Sequence, residues 1–223
     1  MEDGKKMNRE AGELFDSKDF IYEVSEIDNN IFDRINNKSY ITNDDISLKD
    51  LSYIKFLHYD FNNNVKVGEL IVNKIILDRI INILRELFNN KYQINSFILV
   101  DNYFDNENVD RNSIDLKSIK YDNSYSFFYR KIYKTNKLSN HAYGLAIDIN
   151  PKENPYLPFV AGKSDYSNLT EEEIYYLDNR DKNISHVITH DDLLYKLFIE
   201  NGFSWGGDWI DTKDYQHFEV NHE

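Results

Sequence analysis

Hydrophobic and polar positions along the chain alternate in two registers. Residues 53–61 and 65–72 are rich in aliphatic and aromatic side chains and flank Asn62-Asn63-Asn64, a spacing that predicts a β-hairpin because Asn tolerates the left-handed turn. The period then changes: Ile76, Ile80, Ile83, Leu84 and Leu87 recur at helical spacing, with Asn73 placed to cap a helix running to about Phe88. Residues 94–100 and 122–132 read as strands, with an Asp/Asn-rich loop after the first. Residues 145–149 read as a buried strand interrupted by one carboxylate. Thr189-His190-Asp191-Asp192 caps a helix through about Glu200, with Leu194, Leu197 and Phe198 inward and Asn201-Gly202 ending it. His217 to Val220 alternate as a strand, placing His217 and Glu219 on one face and Phe218 and Val220 in the core.

The first 50 residues follow neither period. Residues 1–20 are charged and predict a disordered or loosely helical arm, and residues 20–50 predict irregular structure with one short helix. The domain reading is therefore an N-terminal arm over 1–50 and one folded domain over 51–223. The arm has no apolar run after its charges and does not resemble a secretory signal, so the expectation is a cytoplasmic start followed by release, or a leader already removed. No run of about 18 apolar residues predicts a membrane span.

Composition narrows the chemistry. A net charge of −13 disfavours binding to nucleic acid or an anionic membrane. With no cysteine, any metal must be held by His, Asp or Glu, and only six histidines are present. His58, His186 and His190 read as surface or capping residues, and His222 lies at the terminus.

Two stretches concentrate the remaining polar chemistry. The first is S-N-H-A-Y-G-L-A-I-D-I-N over 139–150. Asp148 in an apolar strand needs a cation. Strict alternation puts His141 on the opposite face, unless a turn at Tyr143-Gly144 brings the two together. The second stretch, W-G-G-D-W-I-D-T-K-D-Y-Q-H-F-E over 205–219, carries His217, Glu219 and Asp214, with Gly206-Gly207 allowing a close backbone approach between Trp205 and Trp209. His141, Asp148 and His217 together would make an open zinc site. Asp214 is then a candidate proton acceptor, Arg130 a substrate or oxyanion partner, and Glu219 a hydrogen-bond partner for an imidazole. Plainer roles stay open: a salt-bridged Asp148 with a satisfied histidine nearby, core tryptophans, and Arg130 as structural partner of Asp148 or Glu219.

S-x-H-x-x-G-x-A-x-D followed by W-G-G-D-W and D-x-x-H-F-E resembles the zinc peptidases of bacterial cell walls, over roughly residues 60–222. These include D-alanyl-D-alanine carboxypeptidases, vancomycin-resistance D-Ala-D-Ala dipeptidases, and L-alanyl-D-glutamate endopeptidases of phage and bacteria. The resemblance implies an α+β fold of the DD-peptidase/hedgehog-like kind: a small antiparallel sheet with packed helices and zinc on the exposed sheet face. It implies Zn2+ held by His141, Asp148 and His217, Asp214 as base, and Arg130 contacting substrate, with Ser139, Trp205 and Trp209 beside it. It also implies a peptidoglycan stem peptide as partner, action at the cell wall and an endolysin-like, monomeric hydrolase. Asp214 stands where the dipeptidase branch has glutamate, and with W-G-G-D-W it favours the endopeptidase branch. The rival reading is a non-catalytic zinc-containing module that binds wall or peptide.

Overall fold

A computed structural model describes residues 7–105, 110–133, 135–182 and 184–221. The hairpin forms as its pattern predicts: β2 (Leu51–Tyr59) pairs antiparallel with β3 (Val65–Asn73), in register from Leu51 opposite Asn73 to Tyr59 opposite Val65. Asn63 takes φ 64° in the turn. Asp60 closes that turn by accepting the backbone N–H groups of Asn62 and Asn64, each at 2.9 Å.

Both edges of the hairpin are covered by the N-terminal 50 residues. β1 (Tyr22–Ser25) pairs with β2. Residues 12–15 run along β3, with Gly12 N–H donating to Val67 O and Phe15 N–H to Val65 O. Within the described residues 7–20 the expected disordered or helical arm holds no helix, and its residues 12–15 dock on a strand edge where their amides find partners; residues 1–6 lie outside the described residues. The short helix expected nearby is α1 (Asn29–Ile35), capped by Asp28.

Asn73 caps a 3-10 turn, accepting the N–H of Ile75, and this turn leads into α2 (Leu77–Asn89). Ile80, Ile83, Leu84 and Leu87 of α2 sit in one core with Ile54, Phe56, Leu70 and Val72 of the hairpin. The same core takes Leu145, Ile147, Ile149 and Phe218 from a second sheet, and Leu194 and Phe198 from a later helix that packs on α2.

Two expected strands are shorter than their apolar runs. Of 94–100, only β4 (Ser96–Phe97) pairs, parallel to β5 (Asn123–Ser124) after α3 (Arg111–Lys120). Beyond it the Asn123 side chain replaces the ladder, accepting Ile98 N–H and donating to Ile98 O. Residues 125–131 remain extended, but their backbone partners are scattered over Asp148, His141 and Ser39, so no continuous strand forms.

The second sheet has the order β10-β12-β6, all antiparallel: β6 (Ala146–Asp148), β10 (Ser204–Trp205) and β12 (His217–Glu219). The proline-containing segment between contributes β7 (Tyr156–Leu157), β8 (Phe159–Val160) and β9 (Lys163–Ser164), then α4 (Glu171–Asp178). α5 (Leu193–Glu200) is capped by Asp192. β11 (Lys213–Asp214) pairs with β7, setting Asp214 opposite Tyr156. The fold is thus a mixed α/β arrangement of small, mostly antiparallel sheets with packed helices.

His58 departs from its expected surface role. It is buried beneath Phe97, its Nδ1 is 3.1 Å from Ile94 O, and burial pushes its pKa down to about 4. His186 stacks on Phe61, and His190 is exposed and paired with Asp208. His222 lies outside the described residues.

Candidate metal centre

The turn between His141 and Asp148 does what the alternation problem requires. Ser139 caps a 3-10 turn over Asn140–Tyr143 by accepting the N–H of His141, and Gly144 ends it at φ 66°. A Cβ on Gly144 would sit 2.8 Å from Asn73 N, so the position excludes larger residues by space as well as by backbone conformation. The turn reverses the phase between His141 and β6. On the other side, β12 pairs with β6 so that His217 lies directly opposite Asp148.

Three side chains converge as a result. His217 Nδ1 is 2.9 Å from Asp148 Oδ1, His141 Nε2 is 3.2 Å from Asp148 Oδ2, and His141 Nε2 is 3.2 Å from His217 Nδ1. All are buried, at 1, 4 and 5% exposure for His141, Asp148 and His217. They occupy the sheet face opposite Phe218 and Ile147, the residues that enter the core.

The far nitrogens of both rings are committed. His141 Nδ1 lies 2.6 Å from the Ser126 carbonyl, which only accepts, so Nδ1 carries the proton and Nε2 presents a lone pair to the centre. His217 Nε2 lies 3.0 Å from Glu219 Oε2, and Glu219 in turn accepts from Asn140 Nδ2 at 2.7 Å. With Nε2 donating to Glu219, His217 presents Nδ1. One nitrogen from each ring and a carboxylate thus face one point, the His217 nitrogen free to exchange its proton for a metal, and their ligand atoms lie within 4.8 Å of one another. Tetrahedral zinc with bonds of about 2.0–2.1 Å separates its ligands by roughly 3.3 Å. The observed 2.9–3.2 Å separations are close enough that the donors fit such an ion with little movement.

The electrostatics agree with this geometry. Burial alone would raise the Asp148 pKa, but His141 and His217 outweigh it and hold the carboxyl well below the usual range. Burial alone would lower His217, but its bonds to Asp148 and Glu219 lift it to about 10. Asp214 differs: burial pushes its pKa up to about 7, with Asp148 adding to the rise and His217 opposing it. Its Oδ1 is buried and has no hydrogen-bond partner. Gly206 permits this placement, because a Cβ there would lie 2.5 Å from Asp214 O and 2.9 Å from Asp214 Cβ.

The other expected residues divide between site and scaffold. Trp209 is half-buried with its ring 5.5 Å from that of His217. Trp205 is 3% exposed and belongs to the core, with its indole N–H on Tyr215 O. Ser139 is a buried cap. Arg130 pairs with Asp115, which was not expected, rather than with Asp148 or Glu219, and its Nε is buried without a partner. Ser126, Asn140, Tyr125 and Asp115 were also not singled out in the sequence. Ser126 acts through its carbonyl, which leaves no side-chain signal, whereas Asn140 lies within the S-N-H stretch.

A family model described as D-alanyl-D-alanine carboxypeptidase matches residues 133–220. The match spans His141, Asp148, Asp214, His217 and Glu219 but starts after Arg130, and is narrower than the 60–222 of the motif resemblance. No curated protein and no solved structure matches the chain. The match supports a peptidase, and among its described residues the cluster that could hold a metal is His141, Asp148 and His217. Among the described residues, no helix is long and apolar enough to cross a membrane.

Proposed function

We propose that this chain is a zinc-dependent peptidase that hydrolyses a peptide bond in the stem peptide of bacterial peptidoglycan, acting at the cell wall as a monomer. The observation that carries the proposal is the convergence of two imidazole nitrogens and one carboxylate, each ring fixed by an acceptor behind it, within the segment matching a carboxypeptidase family.

His141, Asp148 and His217 would hold the zinc. When bound, zinc supplies a Lewis acid that polarises the scissile carbonyl and makes water a stronger nucleophile at neutral pH. Ser126 O and Glu219 keep the rings in the required tautomers, and Asn140 holds Glu219. Asp214 takes the proton of the attacking water and returns it to the leaving amine. Burial raises this carboxyl above the ordinary aspartate range in the metal-free chain, and a neighbouring zinc would draw it back down. Arg130 meets a substrate carboxylate or the carbonyl oxygen as it gains charge. Trp209 forms one wall, with Trp205 behind it and Ser139 holding the turn that carries His141. The bond cut is the L-Ala-D-Glu bond or the terminal D-Ala-D-Ala bond.

The test combines metal analysis with mass spectrometry of digested muropeptides. The expected result is one equivalent of zinc in wild type and Asp214→Asn, with turnover in the variant lower by about two to four orders of magnitude. Bound zinc with no released products in wild type would replace this reading with a non-catalytic binding module. Cleavage after L-Ala and loss of one D-Ala give different fragments and identify the bond.

A further inference from the structure

Asp115 lies on α3, outside the matched segment, and closes a triangle of polar contacts beside the metal-site residues. Its Oδ2 is 2.9 Å from Arg130 Nη2, and its Oδ1 accepts from the Tyr125 hydroxyl at 2.6 Å. Arg130 Nη2 donates to the same hydroxyl at 3.1 Å. Tyr125 links this triangle to the candidate centre twice: its ring is 4.9 Å from that of His141, and its backbone exchanges hydrogen bonds with Asp148 at 2.9 and 3.1 Å. The Arg130 guanidinium lies over the Phe128 ring, 5.9 Å from its centroid. Arg130 also lines a cleft of about 350 Å³ with Arg111 and Lys131 and one acid, Asp110. Asp110 is already engaged, accepting the N–H of Ser113 as the cap of α3. The cleft is therefore locally cationic on a chain whose net charge is −13.

We infer that Asp115 is a positioning residue: it fixes the Arg130 guanidinium against Tyr125, so that Arg130 meets an anionic group of the substrate in one orientation. The inference rests on the proposed peptidase reading for its consequence, but not for its geometry. An arginine on an exposed surface surrenders rotamer freedom when it takes hold of a ligand, whereas one already held by a carboxylate and a phenol has surrendered it in folding. Only part of the fork is used in the triangle, and the Nε–H is buried with nothing to receive it. Asp115 occupies one end of the guanidinium and leaves donors uncommitted, which suits an anchor better than a closed structural pair.

The test is a double-mutant cycle with Asp115→Asn and Arg130→Ala, read by kcat/KM on muropeptides and by zinc content. Asp115→Asn is expected to keep one equivalent of zinc and lose about 10- to 100-fold in kcat/KM, the cost of a misplaced binding group. In the Arg130→Ala background it should change kcat/KM by less than about twofold, because its effect passes through Arg130. Asp115→Glu should recover part of the loss. Full, additive losses in the double variant, or loss of zinc in Asp115→Asn, would overturn the inference. If Asp115→Asn does not fold, Tyr125→Phe removes another side of the triangle and enters the same cycle.

A substrate-free arm separates this inference from the functional reading. Phenylglyoxal labelling followed by peptide mass spectrometry reads the reactivity of Arg130 directly. Faster labelling of Arg130 in Asp115→Asn than in wild type supports the anchor, and equal labelling overturns it, even if wild type cleaves no wall peptide. That last outcome would count against the peptidase proposal alone.

Discussion

Zinc uptake should release at least one proton at pH 8.5, one of them from His217, with ionisation of water on the metal adding to the count. In protein stripped of metal, burial would favour the neutral ring, but bonds to Asp148 and Glu219 overcome it and raise the pKa to about 10. At pH 8.5 the ring is then almost fully protonated, while Asp214, near 7, is already ionised and contributes little to the count. A metal binding at Nδ1 must displace that proton. The displacement costs roughly 2 kcal/mol at pH 8.5, from about 1.4 kcal/mol per unit between 8.5 and 10. Apparent affinity should accordingly rise at least about tenfold per pH unit between 8 and 9.5, with the His217 part of that slope lost above 10. The sign for stability is opposite. A group whose folded pKa lies above its ordinary 6.5 stabilises the metal-free fold fully below 6.5, and that contribution is lost as pH rises through about 10. Calorimetric titration in buffers of different ionisation enthalpy measures the proton count. A release indistinguishable from zero at pH 8.5 would mean that His217 is neutral without metal. The reading of the cluster as an imidazolium clamped between two carboxylates would then be wrong.

Three further outcomes follow from the same geometry. His141→Ala, Asp148→Ala and His217→Ala should each abolish zinc retention, since each removes one of three donors; full zinc by elemental analysis in any purified variant removes that residue from the set. Gly144→Ala should destabilise by about 2–5 kcal/mol, combining roughly 1–2 for left-handed backbone with about 1–3 for overpacking against Asn73. An unchanged denaturation midpoint would contradict the turn geometry. Arg34→Met should cost roughly 2–4 kcal/mol, because it strands the bidentate partner Glu69, whose side chain is 3% exposed. The cost stays below that of a fully buried pair because Arg34 is about one-third exposed, and Glu69→Gln in the same background should recover part of it.

What could be read in the sequence was whatever a short window encodes. The hairpin over 51–73 and α2 carry strong periods and polar ends, and both formed near their expected limits. The turn at Gly144 was legible because His141 and Asp148 fall out of phase, and only a φ-permissive residue between them resolves that. α3 was not legible: it buries only Ile114 and Ser118, so its stripe is too thin to separate from the Asp/Asn-rich loop before it. α4 did carry a signal, since Thr170 and Glu173 form a capping box, but its helix has no buried residue and the box alone went unread. The docked segment 12–15 gave no pattern, because a backbone pairing along a strand edge makes little demand on side chains.

The same distinction explains which parts of the candidate site could be read. A metal dictates the chemical type of its ligands, so His141, Asp148 and His217 are visible as residue types at informative positions. The groups that aim them are under looser constraint. Ser126 holds His141 through a carbonyl that any residue could supply, and register alone places His217 opposite Asp148. Asp115 must be an acid to hold Arg130, but it sits on a helix with no local signature and reaches Arg130 only through the fold. Orientation, more than composition, is what a buried ion pair does not need and a catalytic metal does. The case for catalysis therefore rests less on the three donors than on Ser126 and Glu219 behind them, because these decide which nitrogen of each ring faces the centre, Nε2 of His141 and Nδ1 of His217, the latter giving up its proton when a metal takes its place.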